Sequence, residues 1–167
     1  VMPTLIAYAM VAAAAVVVPP PRQLRVESLG IDDPVVTVGL EDDGTLEVPA
    51  PTEVGWYRGS AVPGAPTGSA VLTAHVDYDG VPGVFLELGR LEVGAVVVTV
   101  DASGVERPYT VTERFQVAKG ELPVDELFRR DGAPVLTLIT CGGSFEERTR
   151  HYRDNIVVRA VPVDAVG

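Results

Sequence analysis

The sequence predicts an all-β protein in which about eight short strands form a closed or nearly closed barrel, with one or two short helices. Valine, glycine and proline are abundant, whereas aromatic residues make up only 6% of the chain. Short apolar segments alternate with Gly- and Pro-rich turns, a pattern typical of strands and not of a helical bundle. The 167 residues suffice for one ordinary domain, and a hydrophobic content of 47% can supply its core.

The predicted elements follow from local patterns of valine, glycine and proline. The strand candidates, each bounded by turn residues, are 23–28, 34–39, 45–48, 54–58, 69–76, 95–101, 107–117, 134–140 and 155–163. Residues 41–44 (Glu-Asp-Asp-Gly) and 102–104 (Ala-Ser-Gly) indicate turns. Residues 82–91 suggest a first helical turn, and Pro123 opens a short helix that extends through Arg130.

The N-terminal segment differs from the rest of the chain. Residues 1–18 contain no charge, and as a helix they would span roughly 27 Å, close to the thickness of a bilayer core. Three prolines follow at positions 19–21. We therefore expect residues 1–22 to be a membrane anchor or its remnant with a Pro-rich linker, and residues 23–167 to form the folded domain. The alternative is a buried segment of the domain.

Composition excludes several classes of function. A net charge of −10 argues against a nucleic-acid-binding protein, because no basic surface could neutralise phosphates. A single cysteine excludes disulfide frameworks and multi-thiolate metal sites. Cys141, His75, Asp77 and His151 have no metal-ligand spacing, and phosphate-loop, dinucleotide and serine-hydrolase motifs are absent. The sequence thus indicates no cofactor.

Cys141 is the first candidate for chemistry. It ends the apolar run 135–140 and precedes Gly142 and Gly143, so we expect a rigidly held thiol at an open strand end. Most free cysteines are instead small buried hydrophobic residues, and that alternative stays open.

A nucleophilic cysteine needs an imidazole or another cation nearby, because the thiolate is the attacking species. His75 closes the apolar run 70–74, whereas His151 lies in the polar stretch 146–154. His75 is the stronger candidate, because a polar residue that closes a buried strand needs a partner. The residues alone leave both histidines open.

Acyl chemistry also needs a donor for the oxyanion, and arginine supplies a permanently charged fork of donors. Arg148, Arg150 and Arg153 all follow Cys141 closely. If 151–158 is extended, His151, Arg153 and Asn155 share one face. A solvated surface of alternating charges is the alternative for any one of these arginines.

The chain resembles the sortases, which are cysteine transpeptidases of the Gram-positive cell surface. The resemblance rests on Thr137-Leu-Ile-Thr-Cys141, on a histidine 66 residues upstream within Thr73-Ala-His75, and on an arginine 12 residues downstream. The segments most similar to class F are Gly55-Trp-Tyr57, Ala74-His-Val-Asp77, Thr140-Cys-Gly-Gly143 and Tyr152-Arg-Asp-Asn155. It covers roughly residues 23–163, and Ala74 departs from the glycine common at that position in the family.

The resemblance implies roles for particular residues and the family's eight-stranded barrel. Cys141 matches the nucleophile, His75 the general acid and Arg153 the oxyanion or substrate-orienting group. Thr140 and Tyr152 match substrate-binding positions.

The implied substrates are a protein bearing an LPxTG-like sorting signal, cut between Thr and Gly, and a peptidoglycan precursor that supplies the accepting amine. We expect a monomer, attached by its N-terminal segment to the outer face of a Gram-positive cell membrane. Two alternatives stay open at this stage. One is a non-catalytic β-barrel binding module of the cell surface, and the other is a cysteine peptidase or transpeptidase that acts directly on peptidoglycan.

Overall fold

The computed structural model describes residues 17–149 and 151–165, and at Cys141–Ser144, His151 and Ala165 it describes the backbone alone. Ten strands are present in these ranges: β1 (Pro21–Val26), β2 (Ile31–Val38), β3 (Val54–Tyr57), β4 (Ser69–Thr73), β5 (Asp77–Tyr78), β6 (Val81–Pro82), β7 (Val96–Asp101), β8 (Glu106–Ala118), β9 (Val135–Glu146) and β10 (His151–Pro162). The single α-helix among them is α1 (Val124–Leu127). Four 3-10 turns complete the described elements: Glu27–Leu29, Leu88–Arg90, Lys119–Glu121 and Val163–Ala165.

Eight of these strands form a closed barrel in the order β1-β2-β3-β4-β9-β10-β8-β7. The predicted fold class is therefore confirmed. Two pairings are parallel, β2 with β3 and β4 with β9, and the other neighbours are antiparallel. Strands β5 and β6 form a separate small hairpin directly after β4.

Strand β4 and residues 135–140 of β9 are buried on both faces, which explains why both segments are largely apolar in sequence. On one face, Leu72 and Leu138 join the main core inside the barrel. On the other face, Val71 and Ile139 pack in a second cluster with Leu127 of α1. The connection between β8 and β9 thus covers the outside of the barrel beside these two strands.

The segment after the β5–β6 hairpin anchors in the barrel core. Phe85, Leu88 and Leu91 are all at most 1% exposed and belong to the main core cluster. The sequence predicts a helical turn across 82–91, but only Leu88–Arg90 forms a 3-10 turn. The helix is absent because Pro82 pairs with Asp77 and Gly83 donates a backbone hydrogen bond to Val76.

Two further predictions of local structure are wrong. Residues 45–48 form no strand, because the backbone folds back on itself with a single bridge between Leu40 and Leu46. Cys141 does not end its strand, because β9 continues through both glycines to Glu146. The pairing with β10 persists there by a register shift between Tyr152 and Asp154, which accommodates one extra residue in β9.

The predicted N-terminal anchor lies outside the described residues over positions 1–16. No helix in the described part of the chain is both long and apolar enough to cross a membrane. Strand β1 begins at Pro21, two residues before the first predicted strand, and its Pro21 pairs with Asp101 of β7.

Candidate active site

A groove of about 650 Å³ runs along the outside of the barrel where β4 ends. One wall is the loop between β2 and β3, which contributes Leu46 and Val48. The opposite wall is the connection between β8 and β9, which contributes Leu122 and Phe128. The floor comes from the ends of the central strands, and it includes His75, Thr140 and Asn155.

The register between β4 and β9 sets the level of His75, which is its position along the direction of the strands relative to Cys141. The two strands are parallel, and each residue of β4 pairs with the residue 66 positions later, from Ser69 with Val135 to Thr73 with Ile139. Just beyond the ladder, the Thr140 hydroxyl donates a 2.6 Å hydrogen bond to the carbonyl oxygen of Ala74. Continued by two residues, the same offset brings the backbone of His75 level with that of Cys141.

Strand β10 continues this arrangement on the other side of β9. Asn155 is the register partner of Cys141, and its side-chain Nδ2 donates to the carbonyl oxygen of Thr140 over 3.4 Å. His75, Cys141 and Asn155 therefore lie on three adjacent strands or strand ends at one level of the barrel. The sequence-based prediction that 151–158 is extended is confirmed, because all of it belongs to β10.

His75 is half-buried and is held by contacts on several sides. Its ring lies against the ring of Tyr78, with centroids 5.1 Å apart. Its carbonyl oxygen accepts a hydrogen bond from the backbone N–H of Phe85. Gly83 passes so close that a Cβ atom there would lie 2.1 Å from the His75 carbonyl oxygen, so glycine is required by this approach.

Burial lowers the pKa of His75, because desolvation penalises the charged imidazolium. Two weaker influences raise that pKa: a hydrogen bond to the Pro49 backbone and the nearby charge of Asp77. Proline has no N–H, so the Pro49 group is its carbonyl oxygen and the imidazole is the donor. The β2–β3 loop therefore both lines the groove and bonds to the histidine.

Asp77 is itself tied to β10. The Tyr152 hydroxyl donates to Asp77 Oδ1 over 3.1 Å, and the Tyr152 ring packs edge-on against Phe145 with centroids 5.2 Å apart. This hydrogen bond connects the β5–β6 hairpin, which follows His75, to the strand that follows Cys141. Tyr152 was predicted to bind substrate, but it is not among the residues that line the groove.

Arg153 is exposed and lies at the register shift in the pairing of β10 with β9, between Tyr152 and Asp154. Its guanidinium is 3.7 Å from Glu146 Oε1, and that carboxylate is also 3.8 Å from Arg148. Exposed ion pairs of this kind are weak, about 0–1 kcal/mol, so the guanidinium can leave Glu146 at little cost. Arg153 does not line the groove in this structure.

The structure thus brings together some of the predicted residues. His75 and Thr140 line one groove, with the Cys141 backbone beside them, whereas Arg153 and Tyr152 lie nearby on β10 outside the lining. The Thr140 hydroxyl is occupied by the Ala74 carbonyl and the residue is 2% exposed, so it supports the His75 segment. For His151, only the backbone pairing with Glu146 is described.

Sequence reasoning missed Pro49 and Asn155 as site residues. The predicted extended strand placed Asn155 on one face with Arg153 but gave it no role, and the structure makes it the register partner of Cys141. Pro49 carries no local signal, because its contact with His75 joins two distant loops. Among the side chains that the structure describes, which leave out those of Cys141 and His151, no group of three His, Cys, Asp or Glu residues is arranged to hold a metal ion.

Comparisons with known proteins address the fold and the family. The sequence model of the Sortase domain family matches residues 24–163. A comparison with curated protein sequences finds no significant match.

Solved sortase structures have the same fold. A sortase C-1 from Actinomyces oris is 22% identical with a TM-score of 0.66, covering 86% of this chain and 72% of that one. Streptococcus agalactiae sortase C1 in complex with MTSET is 20% identical with a TM-score of 0.67, covering 86% and 69%. A sortase C from Clostridium perfringens SM101 is 21% identical with a TM-score of 0.63, covering 85% and 68%. At these identities the likeness shows the fold.

The substitution Asp77→Asn should lower the pKa of His75 further, because it removes one of the two influences that oppose desolvation. The imidazolium fraction at neutral pH should fall in parallel. NMR titration of the imidazole protons measures this in a Cys141→Ala background, where no thiol titrates, and the only other histidine is His151. Asp33→Asn removes the same charge from β2 and should leave the titration unchanged. An unchanged or raised pKa in Asp77→Asn would contradict this electrostatic account.

Proposed function

The chain belongs to the sortase family of transpeptidases, and from this premise we propose that it cleaves an LPxTG-like sorting signal between Thr and Gly. The protein so released would be transferred to an amine of a peptidoglycan precursor. The observation that carries the proposal is the register that sets the backbones of His75, Cys141 and Asn155 at one level beside an apolar groove. A groove with apolar walls suits an extended peptide segment with apolar residues.

In the first half-reaction, the Cys141 thiolate attacks the carbonyl carbon of the signal threonine. The oxyanion that forms collapses, the carbon–nitrogen bond breaks, and a thioester joins the enzyme to the threonine. The His75 imidazolium gives its proton to the departing glycine amine, which leaves as a neutral amine. The half-buried position of His75 beside the groove supports this role.

In the second half-reaction, the incoming amine attacks the thioester carbonyl. Neutral His75 takes the proton from that amine, the carbon–sulfur bond breaks, and the thiolate is regenerated. The lowered pKa of His75 leaves little imidazolium at neutral pH, and an ordinary thiol with a pKa of about 8.5 is only a few per cent ionised there. We therefore propose that a minority form carrying both charges performs the first step, and that turnover is slow.

Arg153 is proposed to hold the oxyanion or the substrate carbonyl. Its guanidinium is exposed, its partner Glu146 lies 3.7 Å away, and its strand carries the register partner of Cys141. A small rotation away from Glu146 would free a planar fork of donors for the developing negative charge.

Further parts of the proposal rest on the sequence resemblance. We assign the enzyme to class F on its motifs, although the solved structures described above are C-type sortases of about 20% identity. We also propose attachment through residues 1–22 to the outer face of a Gram-positive membrane, and action as a monomer.

The proposal is tested by incubating the protein with an LPxTG peptide in the absence of an amine and measuring intact mass. A thioester adduct should appear on Cys141 and be released by hydroxylamine, and Cys141→Ala should show none. His75→Ala should slow adduct formation by roughly 10²–10⁴-fold, the usual contribution of acid–base catalysis, whereas His151→Ala should change it little.

Two results would contradict the proposal. If folded protein gives no adduct with sorting-signal peptides, the chain is not a sortase of this specificity, and reaction with peptidoglycan stem peptides would indicate direct action on the cell wall. Equal losses in the rate of adduct formation in the two histidine variants would show that His75 is not the sole acid–base group.

Arg153→Lys should lower the rate of adduct formation by about 100-fold even though it keeps the positive charge, because one ammonium cannot replace a planar fork of donors. The limbs of the pH–rate profile should stay in place, since the charge near the site is conserved. Arg148→Lys is the matched control, because Arg148 approaches the same Glu146 carboxylate. Wild-type turnover by Arg153→Lys would remove Arg153 from the mechanism.

A further inference from the structure

The charged residues that line the groove are cationic, although the protein as a whole is acidic. The chain carries 23 acidic and 13 basic residues, for a net charge of −10. Yet the residues that line the groove include Lys119 and Arg130 and no aspartate or glutamate. In a strongly acidic protein, a cleft with only cationic charges favours a ligand that carries negative charge.

Both cations belong to the β8–β9 connection, the wall opposite the β2–β3 loop. Lys119 and Arg130 are exposed, and neither forms an ion pair with any carboxylate in the described ranges. No ion pair within the described part of the protein therefore neutralises their charge.

Arg130 is also fixed in position. Its Nη2 donates a 2.9 Å hydrogen bond to the carbonyl oxygen of Gly59, which lies in the groove lining as well. Its backbone abuts Gly68, where a Cβ atom would come within 2.9 Å of the Arg130 carbonyl oxygen. The guanidinium is thus anchored by one nitrogen and keeps its remaining donors for a ligand.

Three carboxylates on the same walls are paired with groups other than the two cations. Glu126 of α1 pairs with Arg159 of β10, outside the groove. On the other wall, Glu47 accepts the backbone N–H of Gly39, and Asp43 accepts both the N–H and the hydroxyl of Thr45. Most of the other wall residues of the groove are apolar, among them Leu122, Val124 and Phe128, and Thr45 adds one hydroxyl-bearing side chain.

We infer that this enzyme selects sorting signals with an acidic side chain, either at the variable position of the motif or at the residue directly before the motif. Lys119 and Arg130 recognise that carboxylate. The inference rests on the proposed function, because it assumes that the groove holds the signal. Arginine suits the task, since its planar fork matches a carboxylate. The apolar residues beside the two cations would contact the aliphatic parts of the peptide.

The test compares LPxTG peptides that differ by Glu or Gln at the variable position, and a second pair that differs in the same way at the residue directly before the leucine of the motif. For at least one pair, kcat/KM should be about three- to tenfold higher with Glu, the range expected for two largely exposed charge contacts. The preference should shrink at high salt, since exposed charges are screened.

The double variant Lys119→Gln and Arg130→Gln should remove the preference, so that the Glu and Gln peptides of a pair react with equal kcat/KM. Arg90→Gln is the matched control, because Arg90 is 79% exposed, pairs only with Glu87 and lies outside the groove. It should retain the full preference. Binding of labelled peptides to Cys141→Ala, measured by fluorescence anisotropy, reports the same preference without chemistry.

Equal kcat/KM and equal binding for Glu and Gln in both peptide pairs would overturn the inference and leave the proposed function intact. A preference for Glu that survives in the double variant would also overturn it. Absence of any adduct with all four peptides would instead count against the proposed function, and the binding assay would still decide whether the groove favours acidic peptides.

Discussion

The arrangement of this site depends on one constraint, the parallel pairing of β4 with β9 at a fixed offset. Strand β4 and residues 135–140 of β9 are buried on both faces, against the main core on one side and against the cluster that includes Leu127 on the other. A slip by one residue would exchange the two faces and force Thr73 or Thr137 into the wrong cluster. The Ser69 and Thr137 hydroxyls, 2.9 Å apart, add a polar contact across the same pair. The level of His75 relative to Cys141 follows from this register.

The register fixes where His75 lies, and the contacts around its side chain then determine its pKa. Burial lowers its pKa, while Pro49 and Asp77 act in the opposite direction. Both opposing groups belong to surface elements, the β2–β3 loop and the β5–β6 hairpin. The hairpin is held to β10 by Tyr152. A change in either element would therefore alter the protonation of His75 without disturbing the barrel.

Much of the barrel, and the two strands that lead to His75 and Cys141, could be predicted from the sequence, because apolar runs and turn residues are local signals. The runs before His75 and Cys141 do correspond to β4 and β9. The continuation of β9 beyond Cys141 could not be predicted, since its glycines favour an end and only the partner strand maintains the pairing. Lys119 and Arg130 likewise look like ordinary surface cations. Their place in the groove depends on how the β8–β9 connection folds back over β4.

The β4–β9 register sets position 75 beside position 141, and formation of a disulfide between these two positions tests this placement directly. The chain has a single cysteine, so His75→Cys creates one possible intramolecular pair. Adjacent parallel positions have Cα atoms about 5 Å apart, within the range that a disulfide bridges. Mild oxidation should remove both free thiols in monomeric protein and lower its mass by about two hydrogens. Val96→Cys on β7, three strands away from β9 in the barrel, should keep two free thiols. Two persistent thiols in folded His75→Cys would contradict the account.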